Sequence, residues 1–295
     1  MQILLDKIDV QNLGSPLFNG CNIDVLRLDQ LHPIISGNKW FKLKYHLQQA
    51  KQLGFNTIAT FGGAFSNHIV ATAFACKQEG LQSIGIIRGE QPANLSPTLQ
   101  AATHYGMCMH YVSRTAFKDK TTLQQQFEEH WYWVNEGGYS PLGMLGAKEI
   151  LSVFDTNHYT HFICSCGTGT MMAGLLASAL PSQKVIGVSA LKGNSNAPNA
   201  VLDLLPVELK KQTISILHQY HFGGYAKHTQ ELIDWMHVLW QQEKLPTDVV
   251  YTSKLLFAVH RLCQENFFTV NDKVLVIHSG GLQGNLSLPA NTLPF

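Results

Sequence analysis

An α/β fold with open parallel sheets flanked by helices is predicted for this 295-residue chain by its rhythm, its composition and its length. Short apolar runs end in glycine and give way to helical periodicity, as in strand-loop-helix units that build a parallel sheet. Apolar residues reach 45% against 14% charged, enough burial to order a large core. At ~150 residues per domain the length corresponds to roughly two domains.

Taken in order, "NTIATFGG" reads as a strand and "FSNHIVATAFACKQEG" as the helix after it. "LQSIGIIRGE" then precedes a helix from about Ser96, and "HFICSCGTG" precedes "TMMAGLLASAL". "KVIGVSAL" and the near-final "KVLVIHSGG" add further buried strands. Between helical patterns, "VNEGGYSPLGMLGAKEI" clusters glycines and a proline and is the best place for the chain to cross between lobes. Residues 1–45 and 146–295 are therefore expected to form a larger lobe, with 46–145 a smaller inserted α/β lobe.

Formal net charge is +1 and no run of five like charges occurs, which excludes the electrostatic footprint of a nucleic-acid or anionic-membrane binder. Asp6 and Lys7 interrupt the first apolar run, and no stretch reaches the ~18 apolar residues of a membrane span, so a cytoplasmic protein is expected. Cys21, Cys76, Cys108, Cys164, Cys166 and Cys263 are scattered and read as buried thiols. His161, Cys164 and Cys166 lack the spacing of a metal site, and no metal is expected.

Three local features carry chemistry. In "CSCGTGTMMAGLL", Gly167, Thr168, Gly169 and Thr170 join a strand to a helix, where freed amides, hydroxyls and the helix N-terminus make an anion cradle. A dinucleotide site wants glycine where Met172 stands, and a triphosphate loop wants Gly-Lys-Ser or Gly-Lys-Thr, which is absent. A single phosphate on a small cofactor remains, beside the plainer reading of a tight turn with no ligand.

Gly62 and Gly63 end a strand, and Ser66 or Asn67 either caps the next helix or presents its amides to a carboxylate. Ser66 and His68 diverge by about 200° around the helix axis, so a serine hydrolase pair is disfavoured. Lys39 follows Gly37-Asn38 in "SGNKWFK". It is either an ordinary surface lysine or, if buried, an amine that loses its proton readily and links to a carbonyl.

Together, an early Gly-Asn-Lys, a Gly-Gly-x-x-Ser-Asn-His loop and a later Gly-Thr-Gly-Thr cradle resemble the pyridoxal-phosphate enzymes of the two-lobed tryptophan-synthase-β-like fold, fold type II. The branch is that of D-cysteine desulfhydrase and 1-aminocyclopropane-1-carboxylate deaminase. "SPLGMLGA" and "VVYTSK" follow in the expected order, and the likeness runs from about Val25 to Gly281. It implies that pyridoxal phosphate is carried on Lys39, with Lys42 on the same helix face. Asn67 is implied to meet the cofactor's ring hydroxyl, and Cys166 to Thr170 its phosphate. Ser66 is implied to meet the substrate carboxylate or handle a proton, beside His68 and a Phe65 that replaces the family's glutamine. Tyr225 and Tyr251 are implied to lie near the substrate.

The cyclopropane deaminases resemble one another in a glutamate facing the pyridine nitrogen and in "HLGG"; here Thr252 and Ser279 stand at those places. That pattern implies α,β-elimination on a small amino acid, D-cysteine or a related β-substituted D-amino acid first, releasing a 2-keto acid and ammonia. Cyclopropane deamination is the first alternative and a catalytically impaired cofactor-binding protein the second. A homodimer is implied by the same likeness.

Overall fold

The computed structural model describes residues 5, 8–35, 37–127 and 130–295, so Ser36 of "SGNKWFK" lies outside the described residues. The chain runs β1 (Val10–Leu13), β2 (Asn22–Arg27), α1 (Asn38–Gln52), β3 (Thr57–Gly62), α2 (Asn67–Gln78), β4 (Gln82–Arg88), α3 (Pro97–His104), β5 (Met107–Val112), α4 (Lys120–Gln126) and β6 (Tyr132–Val134). It continues through α5 (Pro141–Lys148), β7 (His161–Cys166), α6 (Thr170–Ser178), β8 (Lys184–Ser189), α7 (Ala197–Leu204), β9 (Ser215–Leu217), α8 (Gln230–Glu243), α9 (Thr252–Gln264) and β10 (Lys273–His278).

Two sheets result. The larger has the order β1-β2-β10-β7-β8-β9, parallel except for the antiparallel β1 edge, and the smaller is the all-parallel β5-β4-β3-β6. In the larger sheet successive residues of β10 serve opposite faces, as the pleat requires. Val274 and Val276 pack with Leu232, Trp235 and Met236 of α8 and Leu255 and Val259 of α9. Leu275 and Ile277 pack on the other side with Phe41 of α1, Ala147 of α5 and Met171 and Met172 of α6. Helices on both faces explain why these strands read as unbroken apolar runs.

Helix α1 serves both sheets. Phe41 faces the larger sheet, while Leu43, Leu47 and Ala50 pack with Ile58 of β3, Val134 of β6 and Ala71 and Ala75 of α2. The glycine-rich segment after β6 leads into α5, which is wedged between α1 and α6 by glycines. A Cβ on Gly146 would sit 1.7 Å from the Phe41 carbonyl oxygen, and one on Gly174 of α6 would sit 2.6 Å from Ala147. Among the described residues no helix is long and apolar enough to cross a membrane.

Gly146→Ala is expected to destabilise the fold by more than about 2 kcal/mol, since backbone must move to admit the methyl group. Leu145→Ala on the neighbouring residue, 43% exposed, should stay within about 0.5 kcal/mol. Denaturant unfolding of both variants checks this.

Candidate active site

Strand ends and helix starts from both sheets converge on a cavity of about 400 Å³, beyond the carboxyl ends of the strands where α/β sheets bind ligands. From the amino end of α1 come Asn38, Lys39 and Lys42. Gly37 ahead of them has φ 62°, and a Cβ there would lie 1.8 Å from the Ser279 carbonyl oxygen. Only glycine allows α1 to start so close to the end of β10, where the Asn38 amide donates to that same oxygen at 3.2 Å.

Lys39 is half-buried, its amine 2.7 Å from Asn38 Oδ1, and desolvation lowers its pKa to about 8 against an opposing pull from Asp248. Lys42 is buried, and desolvation, then the charge of Lys39, brings it to about 7. Two amines on one helix face, in a pocket poor in water, thus both release protons near neutral pH.

The start of α2 forms the opposite wall with Gly63, Ser66, Asn67 and His68. Ser66 occupies the N-cap position, but its side chain makes no capping hydrogen bond and remains on the cavity wall, which corrects the plain capping reading. Asn67 donates from Nδ2 to the Gly281 carbonyl at 3.3 Å, leaving its buried Oδ1 without a partner. His68 is neutral, held well below its ordinary pKa by burial and then by Lys39 and Lys42. Because the Thr60 hydroxyl donates to the Val134 carbonyl, it accepts from His68 Nε2 at 2.9 Å, and the buried Nδ1 is a bare acceptor.

Ser165, Gly167, Thr168 and Gly169 close the floor at the end of β7. Gly169 has φ 86°, and a Cβ on Gly167 would press to 3.3 Å from the Tyr251 ring. Tyr251 and Ser279 complete the wall, with Tyr225 against Tyr251 at 6.1 Å between ring centroids. Burial raises the Tyr251 phenol well above its ordinary pKa, so it stays protonated.

Four residues assigned to the site from sequence do not line it. Phe65 is 40% exposed, because the turn ahead of α2 leaves its ring outside. Cys166 is turned into the core beneath the sheet and its thiol is pushed up to about 11 by burial. Thr170 is buried at the first position of α6 and bonds Thr168 Oγ1 at 3.0 Å. Thr252 is buried with its hydroxyl occupied: it accepts from the Asp248 amide at 2.7 Å and donates to the Asp248 carboxylate at 2.9 Å.

Asp248 itself was missed. Its carboxylate accepts from the amides of Val250, Tyr251 and Thr252 at 2.9, 2.7 and 3.0 Å and so fixes the start of α9 and the aim of Tyr251. An aspartate shortly before an apolar-periodic helix was the signal available. Arg88 and Glu136 on the wall were missed as well. Arg88 could have been found as a charge ending a buried parallel strand.

The profile of the family described as "Pyridoxal-phosphate dependent enzyme" matches residues 15–280. The chain belongs to this family. It is 27% identical to a Pyrococcus horikoshii protein provisionally named a 1-aminocyclopropane-1-carboxylate deaminase, over 90% of this chain and 86% of that one. It is 24% identical to the Arabidopsis thaliana bifunctional D-cysteine desulfhydrase/1-aminocyclopropane-1-carboxylate deaminase, mitochondrial, over 90% of this chain and 74% of that one. A crystal structure of an ACC deaminase homologue superposes with a TM-score of 0.84 at 24% identity, covering 97% of this chain and 93% of that one. The fold expected from sequence, that of fold type II, is the fold observed.

Pyridoxal phosphate is the cofactor of this family member, and the cavity fits it. The partnerless Asn67 Oδ1 can meet a ring hydroxyl, the glycine floor admits a phosphate where a Cβ would intrude, and two readily deprotonated amines face the same space.

The coenzyme-free protein should gain stability as pH rises from about 7 toward 9. Lys42 has a folded pKa of about 7 and an unfolded one near 10.5, so the unfolded chain binds more protons in that window. Below pH 7 both states are protonated and the cost of burying the charge is fully present. Lys42→Met should flatten the rise by up to about 1.4 kcal/mol per pH unit. Parallel profiles for the two proteins, measured by urea unfolding, would contradict it.

Proposed function

We propose that the enzyme performs α,β-elimination on a small β-substituted amino acid, D-cysteine or a close relative, releasing a 2-keto acid and ammonia. The observation that carries the reading is the desolvated Lys39 amine between the glycine floor and the unoccupied hydroxyl of Ser66. When bound, pyridoxal phosphate supplies an electron sink for charge developing at the substrate α-carbon. Ser66 and the first amides of α2 hold the α-carboxylate, as a helix N-terminus suits an anion. Lys39 or Ser66 takes the α-proton, and Lys39 suits the task because its pKa of about 8 lies near neutral pH. Asn67 and the Gly167–Gly169 floor hold the ring hydroxyl and phosphate, while protonated Tyr251 and Tyr225 cover the substrate side.

Elimination is preferred over opening of a cyclopropane ring because position 252 is a threonine, with its hydroxyl engaged by Asp248, rather than a carboxylate. The cyclopropane reading is favoured by the name of the Pyrococcus relative and remains the rival. The reading also carries a division into lobes near residues 45 and 146, a homodimeric assembly and a cytoplasmic location.

Purified holoenzyme given D-cysteine, L-cysteine, β-chloro-D-alanine and 1-aminocyclopropane-1-carboxylate should form pyruvate from a cysteine or the chloroalanine, with sulfide from cysteine. Ser66→Ala should lower kcat/KM at least about tenfold. Formation of 2-oxobutyrate from the cyclopropane alone would establish the rival, and inertness toward the whole panel would establish an impaired cofactor-binding protein.

A further inference from the structure

The cavity wall carries one arginine among the described residues, Arg88, the last residue of β4, and neither the cofactor nor the α-carboxylate accounts for it. Its guanidinium makes no ion pair or hydrogen bond among the described residues and lies 5.9 Å from the centre of the Phe117 ring. The carboxylate sharing that wall, Glu136, is already paired with Lys120 at 3.1 Å, and Lys120 in turn sits 4.7 Å from the same Phe117 ring. The wall carboxylate is thus taken up by Lys120, which lies outside the lining, and is not the partner of Arg88. A Cβ built on Gly63 would lie 3.7 Å from Arg88 Nη2, so the guanidinium borders the loop leading into α2 and is reachable by a ligand seated there.

Resting on the proposed reading of the cavity as an amino-acid site, we infer that Arg88 is a specificity-determining residue that binds a second anionic group, on the substrate's side chain. The substrate class is then an amino acid whose β-substituent is, or carries, a carboxylate, sulfate or phosphate. Three arms of such a molecule find three separate partners: the amino group at the coenzyme carbonyl that Lys39 would hold and give up, the α-carboxylate at the start of α2, and the side-chain anion at Arg88. A planar guanidinium is suited to two parallel hydrogen bonds with any of these anions. Its face against Phe117 limits the orientations it must give up on binding. At the cavity mouth the unpaired charge also raises the local concentration of anionic substrates.

Aspartate and asparagine are the probes, because they differ in one charge at nearly constant shape. Binding of both, as D- and L-enantiomers, is measured on the holoenzyme by calorimetry and by the change in its visible absorbance. Wild type should bind aspartate at least about tenfold more tightly than asparagine in the accepted enantiomer. Arg88→Gln should abolish that preference while leaving asparagine unchanged, and Arg88→Lys should keep part of it. Arg88 ends a strand at the surface, so Arg88→Gln should fold normally by circular dichroism. Equal binding of the two amino acids by wild type, binding of neither, or equal weakening of both in Arg88→Gln would overturn the inference. The last result would assign Arg88 to the α-carboxylate instead. An aspartate preference lost in Arg88→Gln supports the inference even where the elimination panel is inert, so the two proposals fail separately.

Discussion

The contact of Gly37 with the end of β10 is the constraint on which the site depends. A helix of fifteen residues begins there with its first amide on the Ser279 carbonyl, at a separation that no side chain at position 37 would permit. Its second residue is Lys39, so the amine emerges where the two sheets meet rather than in solvent. Burial then does the chemical preparation: desolvation lowers the pKa of both amines, the charge of Lys39 adds to the effect on Lys42 a turn away, and among the described residues neither has a carboxylate bonded to it.

Around this amine each element adds one function. Ser66 starts α2 without capping it, which leaves the hydroxyl free for a ligand. The loop from β7 to α6 presents glycines where a phosphate must approach the backbone. Asp248 collects three consecutive amides and the Thr252 hydroxyl, so a buried carboxylate sets the direction of Tyr251 without entering the cavity. Removing its partners would leave that carboxylate uncompensated, which ties the start of α9 to the site as a unit.

How much of this was legible follows from which forces are local. β3, β4, β7, β8 and β10 are central or well-covered strands, and their apolar runs bounded by glycine were plain in the sequence. β5 and β9 lie at sheet edges with half-exposed residues, and β6 and β9 have three residues each, too few for a period to register. β2 was hidden by Asp24 and Arg27, whose charges are met by Tyr159 and Asp29 from outside the strand. Lys39, Ser66, Asn67 and Gly167 to Gly169 belong to short motifs and could be picked out, whereas Arg88 and Glu136 come to the wall only through folding. Thr252 shows the converse error, since the resemblance implied a place facing the cofactor, whereas the helix start turns its hydroxyl to the buried Asp248 carboxylate, away from the wall.

Three lysines in this region, Lys39, Lys42 and Lys254, are desolvated enough to be reactive, and two of them face the cavity. Borohydride reduction of the holoenzyme followed by peptide mass spectrometry identifies the lysine that holds the coenzyme. The account predicts a pyridoxyl group on Lys39 alone. Its appearance on Lys42 or Lys254, or on no lysine at all, would contradict the placement of the reactive amine at the start of α1.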